Sequence, residues 1–176
     1  MFIEHIDAPV LETLRLTLEP VRVEHAEEMV PVLADVRLYA FTGGAPPTLQ
    51  ALRERYSRQA VGRSPDGMER WLNWIVRRSA DGVAIGFVQA AISEDPPPPA
   101  AVLAWVVGTR FQGHGYAREA ATAVAGWASS VGVTRLVAYI DPEHAASMAV
   151  ARALGLAATE DRVDGEVVWE RITASA

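Results

Sequence analysis

The chain has 176 residues, a formal net charge of −6 and no cysteine; half of its residues are hydrophobic and 22% are charged. This length suits one domain with a substantial core, so residues 1–176 are predicted to form a single domain. The negative charge argues against nucleic-acid binding through broad charge neutralisation, and the lack of cysteine excludes disulfides and thiolate chemistry. No apolar run is long enough to cross a bilayer and no secretory signal is apparent, so we expect a cytoplasmic protein without membrane contact.

The first third of the chain predicts one strand and two helices. Residues 13–18 alternate polar and apolar side chains, which is typical of a half-buried strand. Residues 23–33 predict a helix with acidic residues near its start. Glycines and prolines in residues 35–47 indicate a loop, after which Thr48 is placed to cap a helix over residues 49–61.

The middle of the chain predicts three strands. Residues 70–77 are rich in aromatic and β-branched side chains, and Asp81-Gly82 favours a hairpin turn into a strand over residues 83–92. The prolines at 96–99 cannot continue a hydrogen-bonded ladder and indicate an exposed connection. The apolar run at 102–107 predicts the next strand.

The last part of the chain predicts two helices and two strands. An alanine-rich segment from 117 to 131 has apolar residues at helical spacing, and residues 135–140 read as a strand. Residues 145–154 predict a helix that ends at a glycine. A turn at Asp164-Gly165 precedes a last strand, which contains residues 167–169.

A strand, a glycine turn and a helix start follow one another at residues 102–118, and this turn is the strongest functional signal in the sequence. Residues 112–117 read Gln-Gly-His-Gly-Tyr-Ala. The N-terminus of a helix presents unpaired backbone N–H groups at the positive end of the helix dipole, and glycines let an anion approach the backbone. The pattern therefore predicts a pyrophosphate cradle, and the alternative is a glycine turn that only starts a helix.

Two familiar phosphate-binding motifs do not fit this turn. A P-loop closes with Gly-Lys-Ser/Thr, and the chain contains no such triplet. A dinucleotide fingerprint requires a third glycine where Arg118 stands, and it normally belongs to the first strand-helix unit of its domain.

The remaining pattern, Gln-x-x-Gly-x-Ala at Gln112, Gly115 and Ala117, resembles the acyl-coenzyme A signature of the GCN5-related N-acetyltransferases, the GNAT family. Its surroundings resemble the ribosomal-protein N-terminal acetyltransferase branch, the RimJ/RimL type. Downstream, Ser147 and the Arg-Ala-Leu-Gly run that starts at Arg152 match that branch. The chain departs from the branch where His144 replaces the usual asparagine and where Leu156 replaces an aromatic residue.

The resemblance implies an α/β (α+β) GNAT fold: a mixed, mostly antiparallel twisted sheet of about six or seven strands with helices on both faces, splayed between its fourth and fifth strands. It also implies that the pantetheine of acetyl-coenzyme A pairs with the strand edge at 105–107, and that the pyrophosphate lies on the glycine turn. The implied cofactor contacts are Trp105, Val106, Val107, Gln112, Gly113, His114, Gly115, Tyr116, Ala117, Arg118, His144, Ser147 and Arg152.

Individual roles follow from the same resemblance. The backbone N–H of Val107 or Val106 is expected to stabilise the thioester oxyanion, a contribution of about 3 kcal/mol. Ser147 is expected to protonate the departing thiolate, with a helix N-cap as the alternative. His144 is ranked first as a pantetheine contact, ahead of a solvent-facing residue and of a base, while His114 is expected to contribute its N–H and leave its ring in solvent.

The acceptor side of the site is defined less sharply. Tyr39, Phe41 and Trp74 are the candidate residues of the acceptor pocket. No general base stands out among the many carboxylates, His5 and His25 have no context that indicates chemistry, and no set of histidine and carboxylate residues has metal-ligand spacing.

The predicted activity is transfer of acetyl from acetyl-coenzyme A to a primary amine by direct attack in a ternary complex. The acceptor is a protein N-terminus or a small-molecule amine. An α-amine is roughly 10% neutral at pH 7 and a lysine well below 1%, so an α-amine can react without a dedicated base. The competing function is a non-catalytic acyl-coenzyme A sensor or interaction module. A homodimer is a candidate assembly because dimers are frequent among relatives.

Overall fold

The computed structural model describes residues 6–173, and His5 lies outside this part of the chain. Within these residues eight strands form one sheet in the order β1-β2-β3-β4-β5-β6-β8-β7, accompanied by four α-helices. The strands are β1 (Leu11–Glu12), β2 (Leu16–Pro20), β3 (Glu69–Arg78), β4 (Ala84–Ser93), β5 (Ala100–Val107), β6 (Arg135–Ile140), β7 (Ala157–Val163) and β8 (Glu166–Ile172). The helices are α1 (His25–Val32), α2 (Leu49–Gln59), α3 (Tyr116–Ser130) and α4 (Ala145–Ala153).

The sheet confirms the predicted fold class. Its neighbouring strands are antiparallel except for β5 and β6, which run parallel. The sheet has eight strands rather than six or seven because the two-residue β1 and the edge strand β7 had not been predicted. Most of β7 is exposed, so it lacks the alternation of apolar and polar residues that marks a half-buried strand.

The sheet opens between β5 and β6, the fourth and fifth strands of the sequence-based count. These strands are paired only from Ala100 opposite Arg135 to Val102 opposite Val137. Residues 103–107 of β5 continue beyond that point without pairing to β6. The predicted splay is therefore present, and it leaves one edge of β5 open.

Helices cover the sheet on both faces, and alternation along β3 sorts its side chains between two cores. Trp74 belongs to the larger core, together with the buried face of α3. Ile75 belongs to the smaller core, which it shares with α1 and α2. Neighbouring side chains of one strand point to opposite faces of the sheet, so each β3 side chain lies on the side of one core or the other.

Two helix ends have the local chemistry expected from the sequence. Thr48 Oγ1 accepts a hydrogen bond of 3.2 Å from the Ala51 N–H at the start of α2. Gly155 has φ of +78° after α4, and the Leu156 N–H donates to the Ala151 carbonyl at 3.0 Å. This left-handed glycine ends the helix and directs the chain into β7. Within residues 6–173, no helix combines the length and the apolar character needed to span a bilayer.

His25 is a buried structural histidine and not part of a reactive cluster. It is 2% exposed, and its Nδ1 accepts a hydrogen bond of 3.0 Å from the Arg22 N–H. Since Nδ1 is an acceptor, the proton is on Nε2, which lies 3.2 Å from Glu19 Oε2. Burial lowers the pKa of His25, and the neighbouring Arg22 lowers it further.

We expect the free energy of unfolding to fall as the pH drops from 7.5 to 5. The unfolded chain takes up a proton at His25 near the ordinary histidine pKa, whereas the folded protein resists protonation, so acid favours unfolding. Thermal unfolding across this range should show a shallower pH dependence in His25→Gln than in the wild type. Equal slopes in the two proteins would contradict the assignment.

Candidate active site

The glycine turn after β5 presents backbone N–H groups without internal partners. Gly113 and Gly115 adopt left-handed conformations, with φ of +80° and +78°, and α3 starts at Tyr116 without a side-chain cap. Within residues 6–173, no hydrogen bond engages the N–H groups of residues 113–118. A Cβ at Gly113 would have no atom within 4 Å, so the turn is open on that side. These N–H groups and the dipole of a 15-residue helix suit a diphosphate.

Arg15, immediately before β2, holds this turn in place. Its Nη1 donates to the His114 carbonyl at 3.0 Å, its Nε donates to Glu119 at 2.7 Å, and its guanidinium lies 4.7 Å from the centre of the Tyr116 ring. In a trans peptide the C=O and the following N–H point in opposite directions, so this contact turns the Gly115 N–H away from Arg15. The sequence had indicated only a polar strand residue at position 15, because nothing local links residues 99 positions apart.

The side chains of the turn mostly brace it. Gln112 Nε2 donates to the Val107 carbonyl at 3.0 Å, which ties the turn to the end of β5. His114 is exposed, and its ring is also held locally: its Nδ1 is 2.9 Å from the Gln112 carbonyl oxygen, and the ring stacks on Tyr116. Arg118 is exposed on the first turn of α3.

The orientation of peptide groups along β5 distinguishes Val107 from Val106. The Gly108 N–H donates to the Ile85 carbonyl of β4, whereas the Pro99 carbonyl accepts from residues at the start of β6. Peptide groups alternate along a strand, so the backbone groups of Trp105 and Val107 face the open edge and those of Val106 face β4. The geometry therefore favours Val107 as the candidate oxyanion donor.

His144 and Ser147 lie together at the start of α4. His144 Nε2 is 3.4 Å from Ser147 Oγ, and neither side chain caps the helix. The His144 ring stacks on Phe41, with 4.4 Å between ring centroids. Burial lowers the pKa of His144, so the imidazole is neutral near pH 7. Arg152, farther along α4, lies over the Trp169 ring at 5.2 Å.

The predicted acceptor residues are in three different environments. Phe41 adjoins His144, while the Tyr39 hydroxyl donates to the Leu33 carbonyl at 2.9 Å and fastens the loop to the end of α1. The Trp74 side chain is 0% exposed, and its Nε1 donates to the Pro9 carbonyl at 2.7 Å. The Trp74 side chain points toward α3, on the face opposite α1 and α2, so it is packed in the core.

Sequence reasoning missed a cavity of about 260 Å³ between α2 and the neighbouring face of β3 and β4, which we call the α2 cavity. Its lining residues are Val21, Leu33, Arg55, Tyr56, Gln59, Asn73, Trp74, Ile75, Phe87 and Gln89. Asn73 and Gln89 lie opposite each other on β3 and β4, and Gln89 Nε2 donates to Asn73 Oδ1 at 2.6 Å. The available signal was a polar residue in the apolar middle of each of these two strands.

A larger cavity of about 650 Å³ lies between the end of α1, the β3–β4 turn and residues 108–111. Two carboxylates line it, and each has an arginine partner: Glu28 pairs with Arg77 and Asp35 pairs with Arg37. Arg110 also lines it, belongs to no ion pair within residues 6–173 and lies 5.6 Å from the centre of the Phe111 ring.

Three carboxylates form an acidic rim beside His144: Asp141 at the end of β6, Asp164 in the β7–β8 turn and Glu166 at the start of β8. Ile140 pairs with Val167, which makes Asp141 and Glu166 the next facing residues. Burial raises the pKa of Glu166, and the charges of Asp141 and Asp164 raise it further. Such a rim favours a cationic group nearby.

Comparison with known proteins identifies the family. A model of the acetyltransferase (GNAT) domain matches residues 15–157, while no curated protein matches. An acetyltransferase from Agrobacterium tumefaciens has a similar structure, with 26% identity, a TM-score of 0.73 and coverage of 96% of this chain and 97% of that one.

Two other solved structures share the fold at lower identity. One is RimL, a ribosomal L7/L12 α-N-protein acetyltransferase in complex with coenzyme A, with 17% identity, a TM-score of 0.77 and coverage of 93% and 98%. The other is an acetyl transferase from Salmonella typhimurium that modifies the N-terminal serine of L7/L12, with 16% identity, a TM-score of 0.75 and coverage of 94% and 100%. Because the family model spans most of its length, this chain belongs to the GNAT family and is an acetyl-coenzyme A-dependent acetyltransferase.

Proposed function

We propose that this acetyltransferase acetylates a primary amine, either the α-amine of a protein N-terminus or a small-molecule amine, by direct attack in a ternary complex. The observation that carries the proposal is the set of N–H groups at residues 113–118 that have no partner among the described residues and lie beside the open edge of β5. These groups fit the diphosphate of coenzyme A, and the edge at Trp105 and Val107 fits the amides of its pantetheine arm. Acetyl-coenzyme A supplies the activated acetyl group as a thioester.

Val107 and Ser147 are the candidates to contact the thioester oxygen and the departing sulfur. The Val107 N–H faces the open edge and is our candidate donor to the thioester oxygen; loss of one such donor typically costs about 3 kcal/mol of transition-state stabilisation. Ser147 Oγ is our candidate to hold the departing sulfur and to relay to it the proton that the attacking nitrogen loses. The neutral His144, 3.4 Å away, orients that hydroxyl and adjoins the pantetheine path.

The Ser147→Ala variant is expected to lower kcat about 10-fold and to leave the KM for acetyl-coenzyme A nearly unchanged. The loss is smaller than for most general acids because a thiol with a pKa near 8.5 is already a good leaving group. The control is His144→Asn, which restores the amide usual in relatives and should keep kcat within about threefold. Thiol release measures both, and a Ser147→Ala enzyme as fast as the wild type would remove Ser147 from the mechanism.

The acidic rim and the ordinary pKa values of amines support an α-amine as the acceptor. The carboxylates of Asp141 and Glu166 attract a protonated amine to the side of the site where Ser147 lies. Deprotonation at pH 7 costs about 1 kcal/mol for an α-amine and about 4–5 kcal/mol for a lysine, so an α-amine can give up its proton to water. Phe41, stacked on His144, is retained as an acceptor contact, and Tyr39 supports its loop.

The direct experiment measures thiol release from acetyl-coenzyme A with a panel of peptides, polyamines and aminoglycosides. We expect turnover with α-amines that rises with pH through the amine pKa. Tight binding of acetyl-coenzyme A without turnover on any amine would instead favour the sensor function.

We also propose that residues 1–176 act as one acetyltransferase domain in the cytoplasm, and that the protein forms a homodimer. The family model and the single sheet support the domain, and acetyl-coenzyme A as substrate supports the compartment. Light scattering at micromolar concentration would test the dimer.

A further inference from the structure

The α2 cavity contains more hydrogen-bond donors than the protein itself satisfies. Tyr56 is 3% exposed, and its buried hydroxyl has no hydrogen-bond partner among the described residues. A buried polar group without a partner is destabilising, and such groups are rare in folded proteins. Burial also raises the pKa of Tyr56, so the hydroxyl stays protonated and remains a donor.

Arg55 gives the α2 cavity its charge. It is the one charged side chain lining the cavity, and none of the ion pairs within residues 6–173 includes it. Asn73 donates one N–H to the Trp71 carbonyl and accepts from Gln89, so each of these two amides has a further N–H to offer. The Arg55 guanidinium and the neutral donors of the cavity would suit an anion with several acceptor oxygens, because no carboxylate is among the lining residues.

The size and place of the α2 cavity limit what that anion belongs to. A volume of about 260 Å³ holds a short side chain but not a folded peptide segment. Gln89 lies opposite Ala104 on β5, and Val107 is three residues farther along that strand. Strand spacing and rise then separate Gln89 from Val107 by roughly 11 Å. One molecule can therefore reach both places if its amine and its anionic group are on the order of 10 Å apart.

We propose that the α2 cavity binds a carboxylate carried by the amine acceptor, so that the preferred substrate has an amine and a carboxylate on the order of 10 Å apart. This assignment rests on the function proposed above and names its substrate class. The acidic rim complements it, because the rim meets the cationic end of such an acceptor while Arg55 meets the anionic end. An acidic side chain at the second position of a peptide and an ω-amino carboxylate both have this chemistry.

Calorimetry in the presence of coenzyme A tests the assignment by binding alone. The ligands are two matched pairs: alanyl-glutamate amide with alanyl-glutamine amide, and ε-aminocaproate with its amide. We expect the carboxylate of at least one pair to bind about 10-fold more tightly than its amide, as for a charge-assisted hydrogen bond. The pair that shows the difference distinguishes a peptide acceptor from a small-molecule acceptor.

Three variants locate the effect. Arg55→Gln should bring the carboxylate-to-amide ratio close to one, and Tyr56→Phe should reduce it without lowering the Tm, because the lost hydroxyl had no partner. Arg58→Gln removes the same charge from an exposed residue of α2 outside the cavity lining, and it should leave the ratio unchanged. Equal binding within both wild-type pairs, a ratio that survives Arg55→Gln, or an equal fall in Arg58→Gln would overturn the assignment.

Failure of the proposed amine acetylation and failure of the carboxylate site give different results. A protein that binds the carboxylate ligands through Arg55 but acetylates none of them would support the assignment and contradict amine acetylation. A protein that acetylates both members of each pair equally well, with equal affinity, would support amine acetylation and contradict the carboxylate assignment.

Discussion

Replacing Gly113 with aspartate is expected to weaken acetyl-coenzyme A binding about 100-fold relative to asparagine at the same position. A carboxylate there would lie close to the diphosphate, and two like charges 5–6 Å apart at an effective dielectric near 20 repel by about 3 kcal/mol. The side chain itself fits, because nothing lies within 4 Å of the Cβ position. The decrease in affinity therefore reports charge rather than a steric clash.

Asparagine is the matched control for this substitution. Gly113 has φ of +80°, and both asparagine and aspartate tolerate that conformation better than other residues with a Cβ. The negative charge of aspartate interacts favourably with the positive N-terminal end of α3. The aspartate variant should therefore unfold at no lower temperature than the asparagine variant. The affinity difference should shrink as salt is added. Equal affinities at low salt would place the diphosphate elsewhere.

Trp74→Ala is expected to lower the free energy of unfolding by about 3–5 kcal/mol. The side chain is completely buried, and it meets Trp127 edge-on with 5.4 Å between ring centroids. Truncation leaves a large cavity in the core beneath α3 and removes the donor to the Pro9 carbonyl. Urea denaturation measures the loss.

A milder substitution separates this core role from an acceptor role. Trp74→Phe keeps an aromatic ring but not the hydrogen bond, and it should cost about 1–2 kcal/mol with an unchanged KM for the amine. Trp71→Phe, at a partly exposed position of the same strand, should cost less. A Trp74→Phe enzyme of normal stability with an altered amine KM would return Trp74 to the acceptor pocket.

The orientation of Trp74 shows what the alternation within a strand sequence does not reveal. Period-two alternation divides β3 into the set that contains Trp74 and the set that contains Asn73 and Ile75, but both sets include large apolar residues. Apolarity alone does not reveal which face α1 and α2 cover, since both faces of the sheet carry helices. The short polar pair of Asn73 and Gln89 becomes visible only once the register of β3 and β4 is known.

The glycine turn and the two helix starts near it were predictable because their signals are local. The glycine turn, the start of α3 and the pair of His144 and Ser147 each occupy a few consecutive residues, and the structure has the turn and helix starts where the sequence indicated them. Contacts between segments that are distant in the chain produce no local sequence pattern. The stacking of Phe41 on His144 joins segments that are remote in the chain, as does the bond from Arg15 to His114.

The hydrogen bond between Arg15 and the His114 carbonyl couples local opening of the segment around Arg15 to the binding of acetyl-coenzyme A. Arg15 lies in the turn between the two-residue edge strand β1 and β2, so the segment that carries it opens more readily than the buried core of β2. When it opens, the amides of the glycine turn at residues 113–118 lose the contact that orients them. By thermodynamic linkage, acetyl-coenzyme A should then slow the exchange of the hydrogen-bonded amides of Thr13 and Arg15 in the turn between β1 and β2, although this turn makes no proposed contact with the ligand.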